Sequence, residues 1–274
     1  MIPLHDNNPT SRFAWVTLLI IAVNVAVFLL WEPTFGSQGQ QQVFFFCHAE
    51  IPWEVSHQTS LAEGGPAAAA EIRQQLQING AAAERFLQQR CPGKSWWESV
   101  FVAMFLHEGW LHIGGNMLFL WIFGNNVEDR LGVVWYLLLY FAGGIAATAL
   151  QLAVGPDSVI PSLGASGAIA AILGAYLVLF PRARVLTLII FFLITVIELP
   201  ASLVLGAWFV LQLFSGVGSL GADVNGGVAY FAHVGGFALG AIAAATLFRR
   251  YRRPPPSRSG SAIPPALPPG PHFG

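Results

Sequence analysis

Charge is what this sequence has least of: 10% of its 274 residues are charged, against 55% that are hydrophobic. An ordinary soluble domain carries about a quarter charged residues, so that class is excluded and an integral membrane protein is indicated. A net charge of −1 without an extended Lys/Arg block excludes nucleic acid as a partner, because phosphate binding needs clustered cations. A cleavage pattern of small residues is missing after the first apolar run, which ends at Trp31-Glu32-Pro33. A retained signal anchor is therefore expected rather than a removed signal peptide. Cysteine is limited to Cys47 and Cys91, both in one polar segment.

What is abundant is apolar sequence of lipid-crossing length. Six runs, near 13–31, 100–124, 133–154, 164–180, 199–216 and 229–248, approach the roughly 20 residues needed to cross a bilayer core. With the amino terminus inside, nine of the 13 Lys+Arg fall on inner segments, and both termini are read as cytoplasmic. The expected fold is all-α: a polytopic membrane protein with six transmembrane helices and a large external loop after the first. Residues 1–31 form the amino terminus and first span, 32–98 an external subdomain, 99–248 a core of five further spans, and 249–274 a basic, Pro-rich, disordered cytoplasmic tail. Within the external segment, Ala-, Gln- and Glu-rich sequence predicts exposed helices broken at Asn79-Gly80. Its compartment permits a Cys47–Cys91 disulfide, with two free thiols as the alternative. Residues 185–200, rich in β-branched and aromatic side chains and ending at Pro200, read as an extended or interfacial lead-in to the next helix.

Polar side chains within a span are costly and ask for a partner or a task. The second span carries His107, His112 and Asn116, the fourth opens on Ser166 in GASG, and the sixth carries His233. At about 1.5 Å per residue, His112, Ser166 and His233 all lie roughly 18 to 22 Å above the inner edge. Asn116 follows His112 by four residues and shares its helix face. A serine, an imidazole and further hydrogen-bond donors at one depth suit acyl transfer, which needs a nucleophile, a base and a site for the oxyanion. The free N–H at the start of the fourth helix adds a donor. Gly164 and Gly167 beside the serine, and Gly236 and Gly240 after His233, would let the two helices approach. Valine at 236 should separate them, and alanine should be tolerated in part. No buried carboxylate faces His233, so a Ser-His dyad is expected rather than a triad. GASG alone could be small-residue packing, and the histidines could be interhelical glue. A metal site is disfavoured, because His107 and His112 diverge on the helix and no carboxylate joins them.

The run HEGWLHIGGNMLFLWIFGNNVEDRLG, then GASG, then AHVGGFALG, resembles the rhomboid family of intramembrane serine proteases in order and spacing. The resemblance implies Ser166 as nucleophile, His233 as general base, His112 and Asn116 as oxyanion-hole donors, and Glu128 and Arg130 in a structural loop. It implies a six-helix core around a water-filled cavity, no cofactor and no metal. The partners it implies are the lipid bilayer and transmembrane protein substrates, and the expected location is a bacterial inner (plasma) membrane. Two departures stand out: Trp97 is followed by Glu98 where many members have Trp-Arg, and Ala170 stands where some have an aromatic residue supporting the histidine. A catalytically inactive rhomboid-like binder of transmembrane clients is the alternative. A transporter would call for paired intramembrane charges or inverted repeats, which the sequence lacks.

Overall fold

The structure, a computed structural model, describes residues 1–190, 194–219 and 229–248, and the Pro-rich tail lies outside them. Strand β1 (Ile2–Asp6) is followed by α1 (Trp15–Leu30), then four helices: α2 (Gln38–His48), α3 (Pro52–His57), α4 (Gly65–Leu76) and α5 (Gly80–Arg90). Next come α6 (Trp96–Ala103), α7 (Trp110–Phe119), a π-helical turn over Leu120–Gly124, α8 (Asn125–Leu131), α9 (Val133–Val154) and α10 (Ser166–Leu179). Strands β2 (Arg184–Ile190) and β3 (Ile194–Pro200) precede α11 (Ala201–Ser219) and α12 (Tyr230–Thr246). Val133–Val154 and Ala201–Gly218 are long and apolar enough to cross a membrane by themselves, and α1, α10 and α12 are shorter apolar helices.

Helix α10 is the innermost: all but three of its fourteen residues are buried. A helix apolar on every side is stable only when covered on every side, and α12 and α9 provide most of that cover. Between α10 and α12 backbone meets backbone. A Cβ at Gly236 would lie 2.0 Å from the Gly167 carbonyl oxygen, one at Gly240 1.8 Å from that of Ala171, and one at Gly174 2.1 Å from that of Phe237. Even a methyl group therefore forces the helices apart, which corrects the expectation that alanine is partly tolerated at 236. Gly167 itself faces α9, where a Cβ would meet Ala147 Cβ at 2.5 Å.

The start of α1 has no side-chain cap of its own. The buried Glu128 carboxylate of α8 supplies one, accepting the N–H groups of Val16 (3.0 Å) and Thr17 (2.7 Å) and the Thr17 hydroxyl (2.7 Å). A carboxylate at a helix amino terminus satisfies orphan donors and complements the helix dipole. Arg130, from the same loop, lies over the Phe180 ring at 4.8 Å.

Two expectations are corrected here. The all-helical reading gives way to a mostly helical chain with one three-stranded sheet, ordered β1-β2-β3 with antiparallel pairing throughout. The β-branched run 185–200 folds into the β2–β3 pair, and β2 pairs its backbone with the amino-terminal residues, as its side-chain composition favours. The second run, expected as one helix over 100–124, is broken between Ala103 and Trp110. There the Glu32 carboxylate takes the backbone N–H of His107 at 3.1 Å, competing with helical bonding, and Gly109 is extended.

The segment carrying α2 to α5 has its own apolar core of Ile51, Trp53, Leu61, Ala68, Ile72 and Leu87. Helices α4 and α5 break where Asn79-Gly80 predicted, with Asn79 Oδ1 accepting the Ala82 N–H at 3.0 Å as an N-cap. Gly80 is required there, since a Cβ would lie 1.8 Å from the Ala69 carbonyl oxygen. Cys47 and Cys91 are joined as a disulfide. Lys94 Nζ pairs with Glu54 Oε2 at 2.6 Å, both side chains almost wholly buried.

Candidate active site

Ser166 opens α10, and the chain reaches it through Gly164, whose φ of +127° strongly favours glycine. A Cβ on Gly164 would also lie 2.8 Å from His112 Nε2 and 3.4 Å from Ser166 Oγ. The missing side chain thus leaves room between the serine and the imidazole of α7. The Gly164 N–H is held by the Ala103 carbonyl at 2.8 Å. Ser166 Oγ lies 2.7 Å from His233 Nε2, the juxtaposition expected from matched depth. The glycine contacts of α12 bring the imidazole this close.

His233 is also held on its far side. Its Nδ1 meets Gln212 Oε1 of α11 at 2.8 Å, and the Trp208 ring lies 5.9 Å away, centroid to centroid, tilted by 33°. An amide oxygen at Nδ1 accepts a hydrogen bond from Nδ1–H, so Nε2 presents its lone pair to the serine hydroxyl. Gln212 and Trp208 do what Ala170 cannot, and the sequence reading did not single them out. The signal was present: Gln212 is the one carboxamide of α11, and an isolated polar side chain in an apolar span is a functional candidate.

His112 Nδ1 accepts the Glu108 backbone N–H at 3.4 Å, which leaves Nε2 as the protonated nitrogen facing the serine. Asn116 is buried, and its Nδ2 has no hydrogen-bond partner among the described residues. A buried, unpaired donor is costly unless something else completes it. His107 lies apart from the site, fully buried, its ring 5.1 Å from that of His112. Beyond the spans, burial pushes the Glu32 carboxyl up to about 7, offset in part by the His107 N–H.

These side chains line one cavity of about 760 Å³, with Ser166, His233, His112, Asn116, Trp208 and Gln212 on its walls. Residues of the segment 155–163, including Ser158, Ile160 and Leu163, complete its wall, and Pro52 of α3 reaches it from the α2–α5 subdomain. A cavity of this size, mostly apolar with a few convergent polar groups, is the usual form of a binding site.

Residues 93–250, more than half of the chain, match the family model described as the rhomboid domain. Rhomboid protein 1, mitochondrial, of Saccharomyces cerevisiae is 32% identical over 149 residues, 53% of this chain and 40% of that protein. Rhomboid protease GluP of Bacillus subtilis is 40% identical over 82 residues, 30% of this chain and 15% of that protein. RHOMBOID-like protein 6, mitochondrial, of Arabidopsis thaliana is 29% identical over 178 residues, 61% of this chain and 52% of that protein. The match with each therefore spans about half of that relative's length or less. On the strength of the domain match, the chain belongs to the rhomboid family of membrane-embedded proteins.

Proposed function

We propose that this protein is an intramembrane serine endopeptidase that hydrolyses peptide bonds in or near transmembrane segments of membrane-protein substrates. The observation that carries the reading is the 2.7 Å contact between Ser166 Oγ and His233 Nε2 on the wall of the cavity. Ser166 attacks the peptide carbonyl while its proton passes to His233 Nε2. Gln212 holds the other nitrogen of the ring, so the imidazolium that forms keeps its position. The negative charge developing on the carbonyl oxygen is met by His112 Nε2–H, Asn116 Nδ2–H and the Ser166 backbone N–H, donors fixed in place before the reaction. His233 returns the proton to the leaving amine, and an acyl-enzyme ester remains on Ser166. Water, giving its proton to the same imidazole, then releases the acid and restores the serine.

In this reading the chain crosses the bilayer six times, through α1, the α7–α8 segment, α9, α10, α11 and α12. Both termini are cytoplasmic, the external subdomain lies outside, and the host membrane is a bacterial inner membrane. Aromatic residues exposed near the ends of apolar helices, among them Trp15, Trp31, Trp110 and Trp135, fit the belts found at lipid–water boundaries. The reaction uses no cofactor and no metal.

The test is to incubate purified protein with a panel of single-span membrane proteins and locate cut sites by mass spectrometry, with fluorophosphonate labelling of Ser166 in parallel. Ser166→Ala and His233→Ala should each abolish cleavage in a folded, inserted protein. A Ser166→Ala protein that cuts at the parent rate would sink the proposal. A parent protein that binds these proteins but neither cuts nor labels would be an inactive binder instead.

A further inference from the structure

The external subdomain does more than sit above the membrane core. It holds the segment that leads into Ser166. Residues 155–163 join α9 to α10 and form part of the cavity wall, yet they make few bonds of their own: Ser158 N–H to the Gly155 carbonyl and Ile160 N–H to Ser158 Oγ, both at 3.3 Å. The shorter bonds come from outside. Ser56 Oγ donates to the Pro156 carbonyl at 2.7 Å, and the Trp53 N–H to that of Ser158 at 2.9 Å. The Ser162 N–H donates to the Glu50 carbonyl at 2.7 Å. Gln75, on α4, makes two contacts with one carboxamide. Its Nε2 donates to the Asp157 carbonyl at 2.7 Å, and its Oε1 accepts the Val159 N–H at 3.0 Å. That amide group engages the segment as a neighbouring peptide unit would in a sheet.

The apolar contacts agree. Val159 is fully buried, and it is buried in the core of the external subdomain with Ile51, Trp53 and Ile72. Segment and subdomain are one packed unit. Gln75, Trp53 and Ser56 all precede residue 93, so this hold comes from outside the stretch that matches the rhomboid domain. Ser166 itself is anchored separately, by its place in α10 and by the Gly164–Ala103 bond. Altering the hold should therefore reshape the cavity wall more than the serine.

We propose that Gln75 is a positioning residue for substrate engagement: by fixing the backbone of 157–159 it sets the shape of the cavity wall that a peptide substrate must fit. The proposal rests on the protease reading, and two probes of different size separate them. A small fluorophosphonate needs only the reactive Ser166, whereas a single-span peptide selected by cleavage with the parent protein needs the wall as well. In full-length Gln75→Ala, losing two hydrogen bonds should raise KM for that peptide about five- to tenfold, with kcat and the labelling rate within about twofold of the parent. Hydrogen exchange at the Val159 amide should speed up in the same protein. Ser56→Ala, which removes one bond to the segment from an exposed position, should raise KM by a smaller factor and serves if Gln75→Ala folds poorly. An unchanged KM in both variants overturns the proposal. So does an equal loss of labelling, kcat and thermal stability, which would make the hold purely structural. A parent protein that never labels would instead overturn the protease reading itself.

Discussion

The α10–α12 contact and the α2–α5 subdomain are held together in opposite ways. Between the helices, glycines let carbonyl groups of one helix lie against the bare backbone of the other. The subdomain has a disulfide, a buried ion pair, side-chain caps and a small apolar core. The difference follows from the solvent. In lipid, burying apolar surface between helices gains little over burying it in acyl chains, so close approach of small residues must do the work. In water a short segment gains from burial but has too little of it, and staples make up the shortfall. The first region should thus be intolerant of added volume, and the second of lost cross-links.

The largest effect should come from adding one carbon. Gly240→Ala and Gly236→Ala should each abolish Ser166 labelling, because the new Cβ meets a backbone carbonyl at 1.8 Å and 2.0 Å respectively, and backbone cannot step aside as a flexible side chain can. Labelling at the parent rate in either variant would mean that this contact does not align serine and imidazole.

Cutting the staple should be milder and confined to the other region. A Cys47→Ser, Cys91→Ser double variant should lose about 2 to 4 kcal/mol of subdomain stability, read by hydrogen exchange in α4 and α5. Exchange in α10 should stay as in the parent. Equal destabilisation of both regions would erase the contrast between them.

A comparable effect should follow pH. Burial pushes the Glu50 carboxyl from about 4.5 to about 7, a shift that the Thr148 hydroxyl and Lys94 oppose and Glu54 reinforces. A carboxyl whose pKa is raised on folding favours the folded state below its unfolded value, and that contribution is lost as pH rises through the folded value. Subdomain stability should thus fall between about pH 4.5 and 7, by up to about 3 kcal/mol. Glu32, raised in the same direction, adds a further dependence at the end of α1. Glu50→Gln should flatten most of the subdomain's slope in thermal melts taken across that range, and an unchanged slope would assign it to another group.

The smallest effect concerns the imidazole. Gln212→Ala removes the acceptor at His233 Nδ1, and the loss should be about tenfold in kcat, the equivalent of one hydrogen bond of about 1.4 kcal/mol. KM for the same peptide should hardly move. An unchanged kcat would leave Trp208 as the group that keeps the ring in place.

Much of the site was legible because polar groups stand out in apolar runs. Ser166, His233 and His112 could be placed at one depth by counting residues, with Asn116 on the His112 face of its helix, and the structure brings the first two into contact. Gln212 stood out in the same way but had no motif around it, and its role depends on where α11 meets α12. The break between Ala103 and Trp110 was hidden because hydropathy averages over it, while its cause is a carboxylate far back in the chain, Glu32. The sheet was half visible: residues 185–200 showed extended character, but nothing in 2–6 announced a partner strand. The hold on 155–163 was invisible, since what Gln75, Ser56 and their neighbours grip there are backbone groups that every sequence shares.

Val159 completes the subdomain's core, and this fixes an order of assembly. A chain grows from its amino terminus, so both halves of the Cys47–Cys91 bond are made well before residue 159 appears. The bond can close on an unfinished globule, and the last side chain of that globule arrives only after α9 has been threaded through the membrane. By then only six residues remain before Ser166. Completion of that fold and arrival of the serine are therefore nearly one event in synthesis, and a nascent chain stopped short of residue 159 would display an open apolar pocket where Val159 belongs.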